Sequence, residues 1–289
     1  MDAIWNGMDQ AALDSGYDAR ASVGDYEAEI DAYRTRSLAA RRALPMQPDL
    51  VFDPASDCML DWFAGASGGP TFLWVHGGYW RALTKADQSC VAPGLVAAGV
   101  HVAVMDYALV PASDLDGIVR QVRTACAWVA AHAAEQGADP GRLFVGGSSA
   151  GGHLCGMLLA GGWHAGYGLA PDAIRGALTL SGLFDLEPVR RSFVNGWMGL
   201  DAAAARRNSP IHLIPKRPPA PRLLASYGGL ETSEFMRQTE AYAAAWAAAG
   251  HDAQVVPQAG HNHFDIVGAL GDPGEPLCRA AAAWMLHAV

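Results

Sequence analysis

Short apolar runs recur along the chain, each halted by glycine or a polar turn, and between them lie segments with apolar residues at helical spacing. TFLWVHGG (71–78) and HVAVMDYAL (101–109) are the clearest runs, followed by RLFVGG (142–147), ALTLSG (177–182), RLLASYGG (222–229) and AQVVPQ (253–258). Runs this apolar suit strands buried on both faces, as in a parallel sheet. Residues 49–52 and 59–64 read as a short hairpin at the sheet edge. Helices are predicted over 87–98, ended by Gly99, and over 115–136, where Ile118, Val122, Ala125, Val129 and His132 keep helical spacing. Further helices are predicted over 150–159, 233–249 and 275–287. The polar N-terminal part, to about residue 44, contains DYEAEIDAYRTRSLAARR (25–42), a helix-favouring stretch with Tyr26, Ile30 and Tyr33 on one face. Those aromatics need burial, so the segment is expected to dock on the body.

The alternation of strand and helix predicts an α/β fold: a mainly parallel central sheet flanked by helices, in one domain spanning 1–289. Residues 186–221 break the rhythm. They hold Trp197, Met198 and prolines at 210, 215, 218, 219 and 221. That is too long for an ordinary connection and predicts a small lid packed over the sheet edge.

Composition narrows the classes. The 289 residues are 51% hydrophobic and 17% charged, enough to bury a sizeable core. Formal net charge is −9 with no long basic run, which argues against nucleic acid or an anionic membrane as partner. No signal-peptide pattern opens the sequence, and charges, glycine or histidine interrupt every apolar run before it could span a bilayer. The cysteines (58, 90, 126, 155 and 278) are odd in number and widely spaced, so a disulfide framework or structural zinc site is not expected. A reducing cytoplasm is the simplest setting. A homodimer is left open.

The chemistry concentrates around VGGSSAGGHL (145–154). Gly147-Ser148-Ser149-Ala150-Gly151 fits G-x-S-x-G with Ser149 central, between a predicted strand and a predicted helix. Ser148 fails the frame, because the pattern would then need glycine at Ala150. The loop lacks the Lys-Ser/Thr of a phosphate-binding P-loop. A serine nucleophile needs a base, and the base needs an orienting acid. After the last predicted strand come His261 and His263; His263 is preferred, with Phe264 and Ile266 anchoring its loop. After the preceding strand comes Glu231, preferred as the acid over Asp185, one strand earlier. Glu234 falls in the first turn of a predicted helix, where a carboxylate complements the macrodipole. Oxyanion donors are expected from the N–H of Ala150 and from HGGYWR (76–81) at Gly78 and Tyr79. Gly77 and Trp80 are assigned to the substrate pocket. A small-molecule substrate and no metal or organic cofactor are implied.

In chain order, YDARASV, HGGYWR, GGSSAGGHL, SGLFDLEPV, ETSEFMRQT and GHNHFDIV resemble the serine-dependent arylformamidase (kynurenine formamidase-like) branch of the α/β-hydrolases. The resemblance runs from about Tyr17 to the last helix and places nucleophile, base and acid on Ser149, His263 and Glu231. It implies release of a formyl or small acyl group from an aryl amide or ester. Two departures stand out: members often carry His where Ser148 stands, and Asp where Glu231 stands. The scaffold is also that of general carboxylesterases, and a catalytically silent binding protein is the third reading.

Overall fold

The computed structural model describes residues 3–216 and 220–287. Two helices open it, α1 (Gln10–Tyr17) and α2 (Tyr26–Ala43). Asp25 caps α2 by accepting the N–H of Ala28; Glu27 and Glu29 sit in its first turn and Arg41 and Arg42 in its last, all favourable to the helix dipole. A hairpin follows, β1 (Met46–Asp53) and β2 (Cys58–Phe63). Then come β3 (Thr71–Val75), α3 (Lys85–Gln88), α4 (Ala92–Ala97), β4 (His101–Met105), α5 (Leu115–His132), β5 (Leu143–Ser148), α6 (Ala150–Leu159) and β6 (Ile174–Leu180). Three short helices, α7 (Leu186–Arg191), α8 (Asn195–Met198) and α9 (Ala202–Arg207), precede β7 (Arg222–Ser226). The chain ends with α10 (Ser233–Ala248), β8 (Ala253–Val255), α11 (Asp265–Gly271) and α12 (Pro276–Leu286).

The strands form one sheet in the order β1-β2-β4-β3-β5-β6-β7-β8. β2 is antiparallel to both β1 and β4; from β4 onward every pairing is parallel. β3, β4 and β5 are buried at every residue, as their largely apolar sequence requires, with polar Thr71, His101 and Ser148 only at strand ends. Helices α5 and α6 pack on each other and on the strands, while α4, α11 and α12 form a second group. α6 is buried at every position, which its Gly, Ala, Leu and Met content allows.

The expected helix over 87–98 is broken. Residues Lys85–Gln88 and Ala92–Ala97 are separated by a 3₁₀ turn at Ser89–Val91, because Pro93 supplies no N–H and starts a new helix instead. Two further helices, α1 and α11, lie outside those predicted, although Asp9 caps α1 by accepting the Ala12 N–H. The segment expected as a lid holds α7 to α9 and a 3₁₀ turn at Pro210–His212; its residues 217–219 lie outside the described residues. All five cysteines are buried and unpaired. Among the described residues, no helix is long and apolar enough to cross a membrane.

A buried charge cluster pins α2 to the sheet. Asp61, on β2, has a fully buried side chain. It accepts from Arg41 of α2, from Lys85 Nζ at 2.9 Å and from the Asp49 N–H at 3.0 Å. Lys85 also reaches Asp49 at 2.6 Å. Removing the charge at its buried centre, Asp61, leaves Arg41 without its carboxylate and Lys85 with Asp49 alone. Asp61→Asn is expected to lower unfolding free energy by about 3–5 kcal/mol in urea denaturation at neutral pH. A loss below about 1 kcal/mol, the range of an exposed pair, would show that the cluster does not anchor the helix.

Candidate active site

Each parallel strand ends at the same edge of the sheet, and there the loops after β3, β5, β7 and β8 converge. This is where ligands bind in open α/β sheets. At the end of β5 the backbone turns sharply. Ser149 has φ 57° and ψ −116°, outside the regions an L-residue ordinarily occupies. Holding a non-glycine residue there costs of order 1–3 kcal/mol, which the surrounding packing must offset. Two glycines make the turn fit. A Cβ on Gly151 would lie 2.0 Å from the Val75 carbonyl oxygen, and one on Gly77 would lie 2.9 Å from that of Ser148. The elbow and the loop after β3 therefore touch backbone to backbone.

Ser149 opens α6 with no side-chain cap, so the first N–H groups of that helix stay free for a ligand. Among the described residues, no internal acceptor meets the N–H groups of Ala150, Gly78 or Tyr79. The loop carrying Gly78 is held from behind. His76 donates its Nδ1–H to the Gly77 carbonyl at 2.8 Å and stacks on Tyr107 at 4.2 Å. The Tyr107 hydroxyl donates to the carbonyls of His76 and Gly77 at 3.0 and 3.3 Å. A trans peptide sets its N–H opposite its carbonyl. Fixing the Gly77 carbonyl inward therefore turns the Gly78 N–H the other way, on the side where Gly78 lines the pocket.

His263 lies in the loop after β8, and its Nδ1–H donates to Glu231 Oε2 at 2.7 Å. Glu231 is fixed in turn: Oε1 accepts the Gly228 N–H at 2.6 Å and the Ser181 hydroxyl. A carboxylate only accepts, so Nδ1 carries a proton, and in the neutral imidazole that tautomer puts the lone pair on Nε2. His263 and Ser149 both line one cavity of about 440 Å³, without a hydrogen bond between them among the described residues. Such bonds often tighten only when substrate is bound.

The rival residues are occupied elsewhere. His261 faces Asp265 at 3.2 Å and Glu275 at 3.7 Å. Asp185 caps α7 by accepting the Glu187 N–H. Glu234 accepts from the Tyr17 hydroxyl and pairs with Arg237. Ser148 lines the cavity beside Ser149. Among the described residues, no group of three or more His, Cys, Asp or Glu is placed to hold a metal.

One expected pocket residue is displaced. Gly77 and Tyr79 line the cavity, but Trp80 is fully buried beneath it. With φ 57° its side chain turns into the core, where the indole N–H donates to His153 Nδ1 at 3.2 Å. His153 Nε2–H then donates to the Asn208 carbonyl at 2.7 Å, tying the loop after β3 to the segment after α9. The walls also include residues that sequence reasoning missed as pocket residues. Phe193 and Trp197 come from the insertion, but Asp18–Ala21, Tyr26, Ile30 and Tyr33 come from the N-terminal segment. The Tyr26, Ile30 and Tyr33 face was legible as a buried face; its place over a pocket was not. Tyr33 donates to the Phe264 carbonyl at 2.8 Å and Asn262 donates to Glu29 at 2.7 Å, so α2 also braces the His263 loop.

Comparison with known proteins gives the chain its family. A family model described as BD-FAE matches residues 64–164. A kynurenine formamidase of Salmo salar is 31% identical over 207 residues, covering 70% of this chain and 68% of that protein. The chain belongs to the kynurenine formamidase family. Another member, from Danio rerio, is 28% identical over 287 residues, covering 95% and 96% of the two chains. A crystal structure described as a putative thioesterase from Silicibacter sp. superposes with a TM-score of 0.77 at 28% identity, over 92% of this chain and 97% of the other. A thermostable carboxylesterase from a metagenomic library gives 0.72 at 19% identity, over 90% and 93%, which shows the shared fold. This member of the family is thus a hydrolase with the α/β-hydrolase fold.

Burial holds the supporting imidazoles neutral. It pushes His76 and His153 down from 6.5 to about 4, and lowers His164 as well. Unfolding returns each to its ordinary value, so the unfolded chain takes up the protons first as pH falls. Stability is therefore full above pH 6.5 and is lost toward pH 4, by roughly 3 kcal/mol for each of His76 and His153. Urea denaturation across that window should show this steep decline. Constant or rising stability on acidification would contradict neutral burial.

Proposed function

We propose that this hydrolase cleaves a formyl or other small acyl group from an aryl amide, in the manner of an arylformamidase, through an acyl-enzyme on Ser149. The observation that carries the reading is the Glu231–His263 hydrogen bond of 2.7 Å, which occupies Nδ1 and keeps Nε2 as the ring nitrogen available in the cavity that Ser149 lines. His263 takes the Ser149 proton as Oγ attacks the carbonyl carbon. Glu231 orients the imidazole and stabilises its charged form. The oxyanion is received by the N–H groups of Gly78, Tyr79 and Ala150. Collapse expels the arylamine, which takes the proton back from His263. Water, deprotonated by the same histidine, then releases the acid and frees Ser149.

The family's named activity supports a formamide substrate, and the aromatic wall of Tyr79, Trp197, Phe193 and Phe264 suits an aryl leaving group. Short-acyl ester hydrolysis is the second reading, favoured by the esterase-like scaffold. The substrate is a small molecule. A reducing, cytoplasmic setting fits the five unpaired buried cysteines.

Paired kcat/KM values on N-formylkynurenine and short p-nitrophenyl esters separate the readings. Turnover of the formamide is expected; fast ester turnover with the formamide untouched would leave only the second. Ser149→Ala is expected to abolish turnover, by about 10⁴-fold or more, while Ser148→Ala keeps much of it. Glu231→Gln should cost far more than Glu234→Gln or Asp185→Asn. Equal losses at the two serines, or a crippled Asp185→Asn, would displace the assigned residues.

A further inference from the structure

The mouth of the cavity carries charge that the acyl-transfer chemistry does not use. Arg20 and Arg81 both line it and both are exposed. Each guanidinium lies over an aromatic ring: Arg20 Cζ is 4.5 Å from the Tyr26 centroid, and Arg81 Cζ is 3.8 Å from the Trp197 centroid. Among the described residues, neither lies within ion-pair distance of a carboxylate. The one acidic residue on the cavity wall, Asp18, is engaged locally, accepting the Ala21 N–H at 3.0 Å. Stacking occupies the face of a guanidinium and leaves its N–H edge open, the edge that grips a carboxylate.

The contrast with the whole molecule is informative. The chain carries a formal net charge of −9, which would repel anions in general. Its pocket mouth is locally cationic. Ser149 and His263 lie deep, each 5% exposed, whereas Arg20 and Arg81 are exposed residues of the same cavity, placed to meet the far end of a substrate that reaches them.

We infer that Arg20 and Arg81 form a subsite for an anionic arm of the substrate, a carboxylate carried by the leaving group and held at the pocket mouth. The inference rests on the hydrolase reading of Ser149 and adds to it the two residues that select the substrate by its charge. The arm belongs to the leaving group, because a formyl or acetyl group has no place for it. The arginines are specificity residues; they take no part in bond making.

The test is a ratio of kcat/KM between an acidic and a neutral substrate of the same leaving-group core. One pair is 3-(2-formamidophenyl)propanoate against formanilide. The other is 3-(2-acetoxyphenyl)propanoate against phenyl acetate. Wild-type enzyme is expected to favour the acidic member by on the order of tenfold or more, less so at high ionic strength. Arg20→Gln and Arg81→Gln should each lower that ratio by roughly tenfold, with partial recovery in Arg81→Lys. Arg175→Gln, whose side chain donates to the Gly141 carbonyl away from the cavity, should leave the ratio alone. A wild-type ratio near one, or a ratio untouched by both glutamine variants, overturns the inference. If neither formanilide reacts while the acetate pair keeps its ratio, the formamidase reading fails and the anionic subsite stands. Equal turnover of both formanilides keeps the formamidase reading and overturns the anionic subsite.

Discussion

The backbone at Ser149 is the constraint on which the site depends. With φ 57° and ψ −116° between β5 and α6, the residue leaves the sheet and enters the helix with its side chain on the outer edge. Such a conformation survives only where neighbours over-determine it. Here they do so from both sides. The Ser149 N–H donates to the Leu180 carbonyl at 2.8 Å, and its own carbonyl accepts from the His153 N–H at 3.0 Å. The loop after β3 lies so close that only glycine fits at Gly77 and Gly151. The same turn that strains Ser149 leaves the α6 N-terminus uncapped, so the strain and the free N–H donors share one origin.

The partners are arranged by independent props that converge. Tyr107 and His76 fix the Gly77 peptide; Ser181 and Gly228 fix Glu231; α2 braces the His263 loop through Tyr33 and Glu29. Buried polar groups of this kind must be satisfied or they destabilise, so each prop also stabilises the loop it orients. The N-terminal segment therefore serves twice. Its charged end is pinned to the sheet through Arg41 and Asp61, and its aromatic face closes the pocket.

How much of this was legible follows from the kind of signal involved. Strands buried on both faces announce themselves as largely apolar runs, and β3, β4 and β5 were readable for that reason. Ser149 was readable because a strand, a glycine-flanked serine and a helix form a local pattern. Glu231 and His263 were reached through chain order, and the structure brings them together at 2.7 Å. Other features depend on contacts far apart in sequence. Nothing near Trp80 says that its ring turns inward to His153, 73 positions away. Nothing near Tyr33 says that it meets Phe264, 231 positions away. The split of the helix around Pro93 was legible in principle, since proline lacks the N–H that a continuous helix needs.

The central claim is that Ser149, and not its neighbour Ser148, is the nucleophile poised by His263 and Glu231. The most direct measurement is labelling of the folded protein with an aryl fluorophosphonate, with the adduct mapped by peptide mass spectrometry. A single adduct on Ser149 is expected, formed in the native protein, slowed by Glu231→Gln and absent after urea unfolding. An adduct on Ser148, or none on either serine in folded protein, would contradict it.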